Sequence, residues 1–181
     1  MESTRGQLLI AGPTLADPNF WRTVVLIVEH TEEGALGLVL NRPSETTAGE
    51  AAPELAELLD PRGLLFVGGP VQPSAVIVLA EFEDPGDAAL IAFDQIGVLT
   101  AEPAPDLLSA GVRQARAFAG HSGWGPGQLD DELERDDWIL EPGRREDAFC
   151  TEPETLWSEV LARKGGPYRL VARMPNDPSL N

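Results

Sequence analysis

The chain has 181 residues, of which 43% are apolar, and a formal net charge of -17. This length is typical of one domain with a core large enough to need no metal or disulfide, so we expect a single domain over residues 1–181. The negative charge repels nucleic acid and anionic lipid at long range, and the one cysteine, Cys150, excludes an intramolecular disulfide and a cysteine-based zinc site.

The first third of the chain predicts a pair of antiparallel strands. Continuous runs of β-branched and apolar residues, typical of strands buried on both faces, occur at residues 23–28 and 34–40. The link between them, residues 29–33, is short and polar, as expected for a hairpin loop. Gln7–Ala11 forms an earlier strand that Gly12 and Pro13 end.

The middle of the chain predicts short strands and one short helix. Residues 53–60 fit a helix with proline at its first position. Strands are expected at residues 64–67 and 76–82, around a turn at Gly68, Gly69 and Pro70, and again at residues 91–93 and 97–100. Residues 107–119 fit a helix and a strand equally well, because their apolar residues match both periods.

The C-terminal third predicts two helices around a short strand. Residues 126–135 begin with proline and place two leucines on one helical face, and residues 138–140 form an apolar strand. Residues 151–164 form the clearest helix, with a capping-box pattern at Thr151 and Glu154 and Gly165 as terminator. The irregular mixture of strands and helices favours an α+β fold with a largely antiparallel sheet.

No stretch is long and apolar enough for a signal peptide or a membrane helix. The single cysteine also suits a reducing compartment, so we expect a cytoplasmic protein without membrane contact.

The segment around Ser122 superficially matches the nucleophile elbow of hydrolases. That motif requires glycine two residues after the serine, where this chain has Trp124. Cys150 is expected to be a packing residue, since no histidine lies near it in sequence. The sequence therefore indicates no catalytic nucleophile.

The glycine-rich segment 123–128 precedes a predicted helix and has two interpretations. Helix N-termini bind anions, but the spacing is that of neither a dinucleotide fold nor a P-loop. A tight turn anchored by Trp124 is the favoured interpretation, and ligand or partner binding is the alternative. The histidines, His30 and His121, lack metal-ligand spacing, so no metal or other cofactor is expected.

Charged residues near the chain's turns also have two interpretations. Arg42 could bind a carboxylate or phosphate, although pairing with a local acid is favoured. Asp17 and Arg22 are expected to pair across a turn. The acidic residues between 130 and 137 are expected to form a solvated helix face, with a cation site as the alternative.

Taken together, these segments resemble the YqgE/AlgH family of uncharacterised bacterial proteins. The matching segments run in order along nearly the whole chain: 6–11 (GQLLIA), 17–20 (DPNF), 22–25 (RTVV), 29–30 (EH), 34–43 (GALGLVLNRP), 68–71 (GGPV), 123–129 (GWGPGQL), 132–133 (EL) and 175–181 (PNDPSLN).

The resemblance implies a single-domain α+β fold with a bent, barrel-like sheet, and it implies no established activity. Some members carry the label of transcriptional regulator. This chain departs from the family pattern in three places. Ser122 stands where alanine is usual, and Asp130 stands where glutamate is common. Residues 76–79 lack a histidine that the family pattern places there.

Three hypotheses follow for function. The leading one is a non-enzymatic binding or regulatory protein, with a protein partner left open. The second is an enzyme whose polar cleft is formed by His30, Arg42 and the 123–128 segment. The third, a regulator that binds DNA directly, is opposed by the net charge. The candidate binding surface comprises seven residues: His30, Asn41, Arg42, Gly68, Gly69, Trp124 and Gln128.

Overall fold

The computed structural model describes residues 2–99, 103 and 105–175. Within these ranges the chain forms ten strands and six α-helices. The strands are β1 Gln7–Ala11, β2 Val24–Thr31, β3 Gly34–Val39, β4 Pro43–Thr47, β5 Leu64–Val67, β6 Val71–Phe82, β7 Leu90–Phe93, β8 Ile96–Val98, β9 Val112–Trp124 and β10 Trp138–Pro142. The helices are α1 Ala48–Ala51, α2 Pro105–Ala110, α3 Gln128–Glu134, α4 Arg145–Ala148, α5 Pro153–Lys164 and α6 Tyr168–Val171.

The strands form one open sheet in the order β10-β1-β2-β3-β9-β6-β8-β7, to which β5 is joined through β9 and β4 through β5. Its pairings are antiparallel except that of β5 with β9. The sheet bends, because Gly6 before β1 lies against the backbone of Ala92 in β7: a Cβ atom at Gly6 would be 2.9 Å from that carbonyl oxygen. The predicted α+β fold with a largely antiparallel sheet is confirmed, and the sheet is open rather than closed into a barrel.

The longest strand, β9, joins the two halves of the sheet. Its last residues pair with β3, and most of its length pairs with β6. Near its middle it also pairs with β5 in the parallel direction. The ambiguous stretch at residues 107–119 is therefore divided, with α2 ending at Ala110 and the strand beginning at Val112. Alanine and arginine favour a helix locally, and pairing with three strands overrides that preference.

Two of the predicted helices differ from the observed ones. The helix expected at residues 53–60 is wrong: a capping box between Thr47 and Glu50 starts α1 earlier, and only a single 3₁₀ turn, Pro53–Leu55, follows. The capping box expected at Thr151 and Glu154 does not form. Helix α5 begins at Pro153, and Glu152 is its N-cap without a side-chain hydrogen bond. Proline at the first helical position sets that start.

The other predicted elements are confirmed, with shifted ends. The hairpin of β2 and β3 is antiparallel, and its loop is shorter than expected because β2 continues to Thr31. Strands β5 and β6 lie on either side of the glycine turn, yet each pairs with β9 rather than with the other. The sequence analysis missed β4, α4 and α6. Thr100, at the end of one predicted strand, lies outside the described residues.

Apolar residues pack on both faces of the β10-β1-β2-β3 half of the sheet. On one face, α5 contributes Leu156, Trp157, Val160 and Leu161 to a cluster with β1 and β2. On the other face, α3 and the loop before β2 cover Leu9, Val25 and Ile27. Each fully buried large side chain stabilises the fold by about 1.5–3 kcal/mol. None of the described helices is long and apolar enough to cross a bilayer.

Candidate functional site

The 17–22 loop, between β1 and β2, is fixed by side chains that bind its carbonyl groups. Arg42 donates from Nη1 to the carbonyl of Asn19 at 2.7 Å and from Nη2 to that of Trp21 at 3.0 Å. Asn41 Nδ2 donates to the carbonyl of Arg22 at 2.9 Å. These donors bind carbonyl groups that have no partner in the sheet, so Asn41 and Arg42, which lie between β3 and β4, determine the shape of this loop.

The same loop is fixed from its other side. Thr23 donates to the carbonyl of Phe20 from its hydroxyl at 2.8 Å and from its backbone N–H at 3.1 Å. Four consecutive carbonyls, from residue 19 to residue 22, are therefore all bound. Arg22 adopts a positive φ of 53°, a conformation that a non-glycine residue holds only where its surroundings impose it.

Phe20 anchors the loop in an aromatic cluster. Its ring stacks on Trp124 at 6.2 Å and meets Trp138 edge-on at 5.5 Å. Both indole N–H groups donate to one oxygen of Glu132, from Trp124 at 2.9 Å and from Trp138 at 2.8 Å, and Gln128 Nε2 donates to the other oxygen at 3.0 Å. Buried indole N–H groups need an acceptor, and one carboxylate of α3 serves both.

Trp21, next to Phe20, points outward and is 42% exposed. The guanidinium of Arg22 lies 5.4 Å from the Trp21 ring and 4.3 Å from the ring of buried Trp157. These side chains line a depression of about 290 Å³ on the surface, which we call the Trp21 cleft. It is lined by Trp21, Arg22, Asn41, Arg42, Pro153, Glu154, Trp157 and Ser158.

Charge in the cleft comes from two arginines and one glutamate. Desolvation lowers the pKa of Arg42, and nearby Asp17 raises it in opposition. Burial also lowers the pKa of Arg22. Both guanidinium groups remain charged at neutral pH, because arginine is the strongest base among the protein side chains. The cleft is therefore a site with positive groups on a strongly acidic protein.

The expected pairing of Arg22 with Asp17 is wrong, and Arg42 has Asp17 as a nearby charge but not as an ion-pair partner. Arg42 binds backbone carbonyls, as described above. Arg22 does not bind Asp17; it donates to the carbonyls of Met174 and Pro175, while Asp17 Oδ1 accepts from the N–H of Asn19 at 2.9 Å. The physical reason is the position of backbone carbonyls: those of residues 19 and 21 lie within hydrogen-bond distance of Arg42, and those of residues 174 and 175 lie within that distance of Arg22.

Gly68 and Gly69 lie beside β9 and allow backbones to approach closely. A Cβ atom at Gly68 would lie 2.3 Å from the carbonyl oxygen of Gly120, and one at Gly69 would lie 2.2 Å from the carbonyl carbon of His121. Ser122, two residues before Trp124, is fully buried and donates to the carbonyl of Gly68 at 3.2 Å. These residues shape the backbone and expose no nucleophile there.

His30 lies far from Arg42. Its Nδ1 accepts from the backbone N–H of Thr4 at 3.2 Å and lies 2.9 Å from the Thr4 hydroxyl, and its Nε2 lies 3.8 Å from Asp130. Because the backbone N–H donates to Nδ1, the neutral ring carries its proton on Nε2. His30 and Asn41 are at opposite ends of β2, roughly 20 Å apart at 3.3 Å per residue.

The structure therefore brings together part of the predicted surface. Asn41 and Arg42 bind the 17–22 loop directly, and Trp124 and Gln128 hold it through Phe20 and Glu132. Gly68 lies next to Arg42 along the sheet, since Val67 donates to the Arg42 carbonyl at 2.8 Å. His30 lies near the 123–128 segment, because its strand partner Ala35 pairs with Trp124, but it is far from Arg42. The three groups therefore do not meet in the single cleft proposed for an enzyme.

The predicted surface omitted five residues of this site: Phe20, Trp21, Arg22, Glu132 and Trp157. One signal was available, because Gln128 and Glu132 are four residues apart on a predicted helix and therefore adjacent on its surface. Asp131 and Glu134 are exposed, as expected of a solvated face, whereas Glu132 turns inward.

The described residues contain no cluster of three or more His, Cys, Asp or Glu side chains that could hold a metal ion. Cys150 is buried and lies 3.5 Å from the carbonyl of Leu40. Burial raises the pKa of its thiol, and the positive charge of Arg116 opposes that rise.

The protein is therefore an α+β protein with an open sheet and a surface cleft. The loop beside this cleft is held by hydrogen bonds to its carbonyl groups and by the cluster of Phe20, Trp124 and Trp138. The chain belongs to the AlgH-like family, whose model matches residues 8–169. A UPF0301 protein of Streptomyces coelicolor is 42% identical over 187 residues, covering 100% of this chain and 97% of the relative. One from Mycobacterium marinum is 40% identical over 181 residues, covering 97% and 90%.

Two solved structures share the fold. The crystal structure of protein DIP2367 from Corynebacterium diphtheriae has a TM-score of 0.83 and 28% identity, covering 95% of this chain and 93% of that one. The solution structure of the AlgH protein from Pseudomonas aeruginosa has a TM-score of 0.71 and 31% identity, covering 97% and 96%. The resemblance inferred from the sequence motifs is thereby confirmed.

Proposed function

We propose that this protein is a non-enzymatic, cytoplasmic binding module that recognises a segment of another protein at the Trp21 cleft. One observation carries the proposal: Trp21 is 42% exposed on a loop whose four carbonyls from residue 19 to residue 22 are all bound. A rigid, exposed indole beside arginine is typical of the residues that dominate binding energy in protein interfaces.

The charge of the cleft indicates what the partner presents. A guanidinium has five N–H groups, and Arg42 uses two of them on the loop. Within the part of the chain that the structure describes, its other N–H groups have no acceptor. The partner segment therefore carries an acidic side chain that binds Arg42 next to an apolar side chain that packs on Trp21.

Size and overall charge narrow the partner further. A cleft of about 290 Å³ suits one or two side chains rather than a dinucleotide or other large cofactor. The net charge of -17 repels acidic molecules at long range, so the partner as a whole is neutral or basic and its carboxylate acts only at short range.

Direct DNA binding is not proposed. The basic residues that lie close together in the sequence are engaged within the protein: Arg145 donates to Glu81 at 2.8 Å and Arg163 to Asp147 at 2.8 Å. Arg113 is bound by both carboxylate oxygens of Glu83, at 2.9 and 3.1 Å, and Arg116 lies over the ring of Phe66 at 4.4 Å. Regulation through a protein partner is consistent with the proposed module.

Site-specific photo-crosslinking in cells tests the proposal. A photoreactive residue at position 21 is expected to give discrete adducts with a protein partner, and one at position 64 is the control, because Leu64 is 44% exposed on β5 away from the cleft. With the purified partner, Trp21→Ala and Arg42→Ala should each lower the binding affinity by at least about tenfold, whereas Leu64→Ala should leave it unchanged. Equal adducts at both positions, or unchanged affinity in Trp21→Ala, would refute the proposal.

A further inference from the structure

The C-terminal part of the chain already occupies one side of the binding surface. Arg22 Nη2 donates to the carbonyls of Met174 at 2.5 Å and Pro175 at 2.7 Å. These two residues close a small cavity of about 50 Å³ that is also lined by Trp21, Arg22 and Trp157. The same three residues line the Trp21 cleft, so the two depressions share one wall.

The way Arg22 holds this segment is the way it would hold a foreign peptide. Met174 and Pro175 follow a turn and belong to no helix or strand, and they present two consecutive backbone carbonyls to one guanidinium nitrogen. Backbone carbonyls are common to every peptide, so this contact carries no sequence requirement. Contacts at Trp21 and Arg42 would supply specificity.

The segment is also weakly attached to the remainder of the protein. Gly165 and Gly166 precede α6, both at positive φ, 81° and 57°, and a Cβ atom at Gly166 would have nothing within 4 Å. Beyond this glycine pair, Leu170 is 72% exposed and Met174 is 44% exposed. Tyr168, Val171 and Ala172 pack against the core but are only half-buried, and none of residues 165–175 is fully buried. Elements with few buried apolar contacts open at low free-energy cost without unfolding the remainder of the protein.

We infer that residues 172–175 are an intramolecular ligand of the Trp21 and Arg22 surface and that a partner segment must displace them. This inference rests on the proposed function, because it describes how that same surface is regulated. A tethered segment competes at an effective concentration in the millimolar range, so it weakens a partner that needs the same carbonyl contact. Release of residues 172–175 therefore activates binding.

The test uses the full chain and a synthetic peptide of residues 168–175 as the probe. Met174 and Met1 are its two methionines, so methyl labelling of methionine gives a signal for Met174 beside the Trp21 and Trp157 rings. Adding the probe should move this signal to the position of a free methionine. Isothermal titration calorimetry with the same probe should show that Met174→Gly with Pro175→Gly binds it at least about fivefold more tightly than wild type, since glycine raises the entropy of the free segment.

Controls separate the possible outcomes. Arg22→Ala in the double-glycine background should abolish probe binding, and Arg62→Ala, at an exposed site elsewhere, should not. Equal affinity of the wild type and the double-glycine variant, a static Met174 signal in the presence of bound probe, or no probe binding by the double-glycine variant would each overturn the inference. Concentration-dependent dimerisation of that variant would also overturn it, because the competing occupant would then be a second copy.

Failure of the inference is distinguishable from failure of the proposed function. If Trp21→Ala lowers the affinity for the crosslinked partner but the double-glycine variant binds that partner no better than wild type, the proposed binding surface is correct. The inference that residues 172–175 must be displaced is then wrong. If the probe displaces residues 172–175 as expected but Trp21→Ala leaves the affinity for the crosslinked partner unchanged, the proposed function fails.

Discussion

Replacing Glu132 with alanine should destabilise the protein more than any other change to an acidic residue in α3. The substitution leaves the indole N–H groups of Trp124 and Trp138 without their acceptor, and both rings are buried, at 6% and 4% exposure. An unsatisfied buried donor costs about 1–3 kcal/mol, so two of them cost roughly 2–6 kcal/mol. Glu132 itself is half-buried, so water can reach the gap, and we expect about 2–4 kcal/mol.

Urea unfolding followed by far-ultraviolet circular dichroism measures this effect without relying on tryptophan emission, which the substitution itself perturbs. Glu134→Ala is the matched control, because Glu134 is exposed in the same helix and the two changes alter helix propensity alike. A double-mutant cycle with Trp124→Phe should show coupling of about 0.5–3 kcal/mol. If Glu132→Ala falls within about 0.5 kcal/mol of Glu134→Ala, the carboxylate does not hold the indoles as described.

Three further measurements examine the glycine turn and the buried titratable groups. Gly69→Ala should cost about 2 kcal/mol or more in urea unfolding, because its Cβ would meet the backbone of His121, whereas Gly123→Ala, with only a Val71 methyl at 3.6 Å, should cost less than about 1 kcal/mol. Burial lowers the pKa of His121 below its ordinary 6.5, so the unfolded chain binds the proton more readily and the free energy of unfolding falls as the pH drops below that value. His121→Gln should therefore lose less stability than wild type between about pH 7.5 and about pH 5.5. Cys150 should react with Ellman's reagent at least about a hundredfold more slowly in the native protein than in urea, and comparable rates would contradict its burial.

The sequence was sufficient for the strands that are buried on both faces. Runs such as residues 23–28 have one favourable structure, because only a central strand buries consecutive β-branched side chains. It was insufficient where long-range pairing decides the outcome. The stretch that became β9 has strong helix formers, and its three neighbouring strands lie far away in the chain.

The candidate site was predicted in part for a related reason. Asn41, Arg42 and Trp124 were identified because polar, charged and aromatic residues next to turns commonly stabilise the turn or bind a ligand. The partners of Arg42 could not be identified, because every residue has a backbone carbonyl and the sequence does not show which of them accept a side-chain hydrogen bond. Glu132 was hidden in an acidic run, where only the three-dimensional position of two indoles distinguishes it from Asp131 and Glu134.

The placement of β9 has a consequence for how the protein is made. A nascent chain can pair β2 with β3 early, but neither β3 nor β6 acquires its central neighbour until residues 112–124 have left the ribosome. Strand β1 pairs with β10 still later in synthesis, since Gln7 pairs with Pro142. Such sequence-distant pairings slow folding, so apolar strand edges stay open for most of synthesis, and we expect the newborn chain to depend on chaperones that shield them.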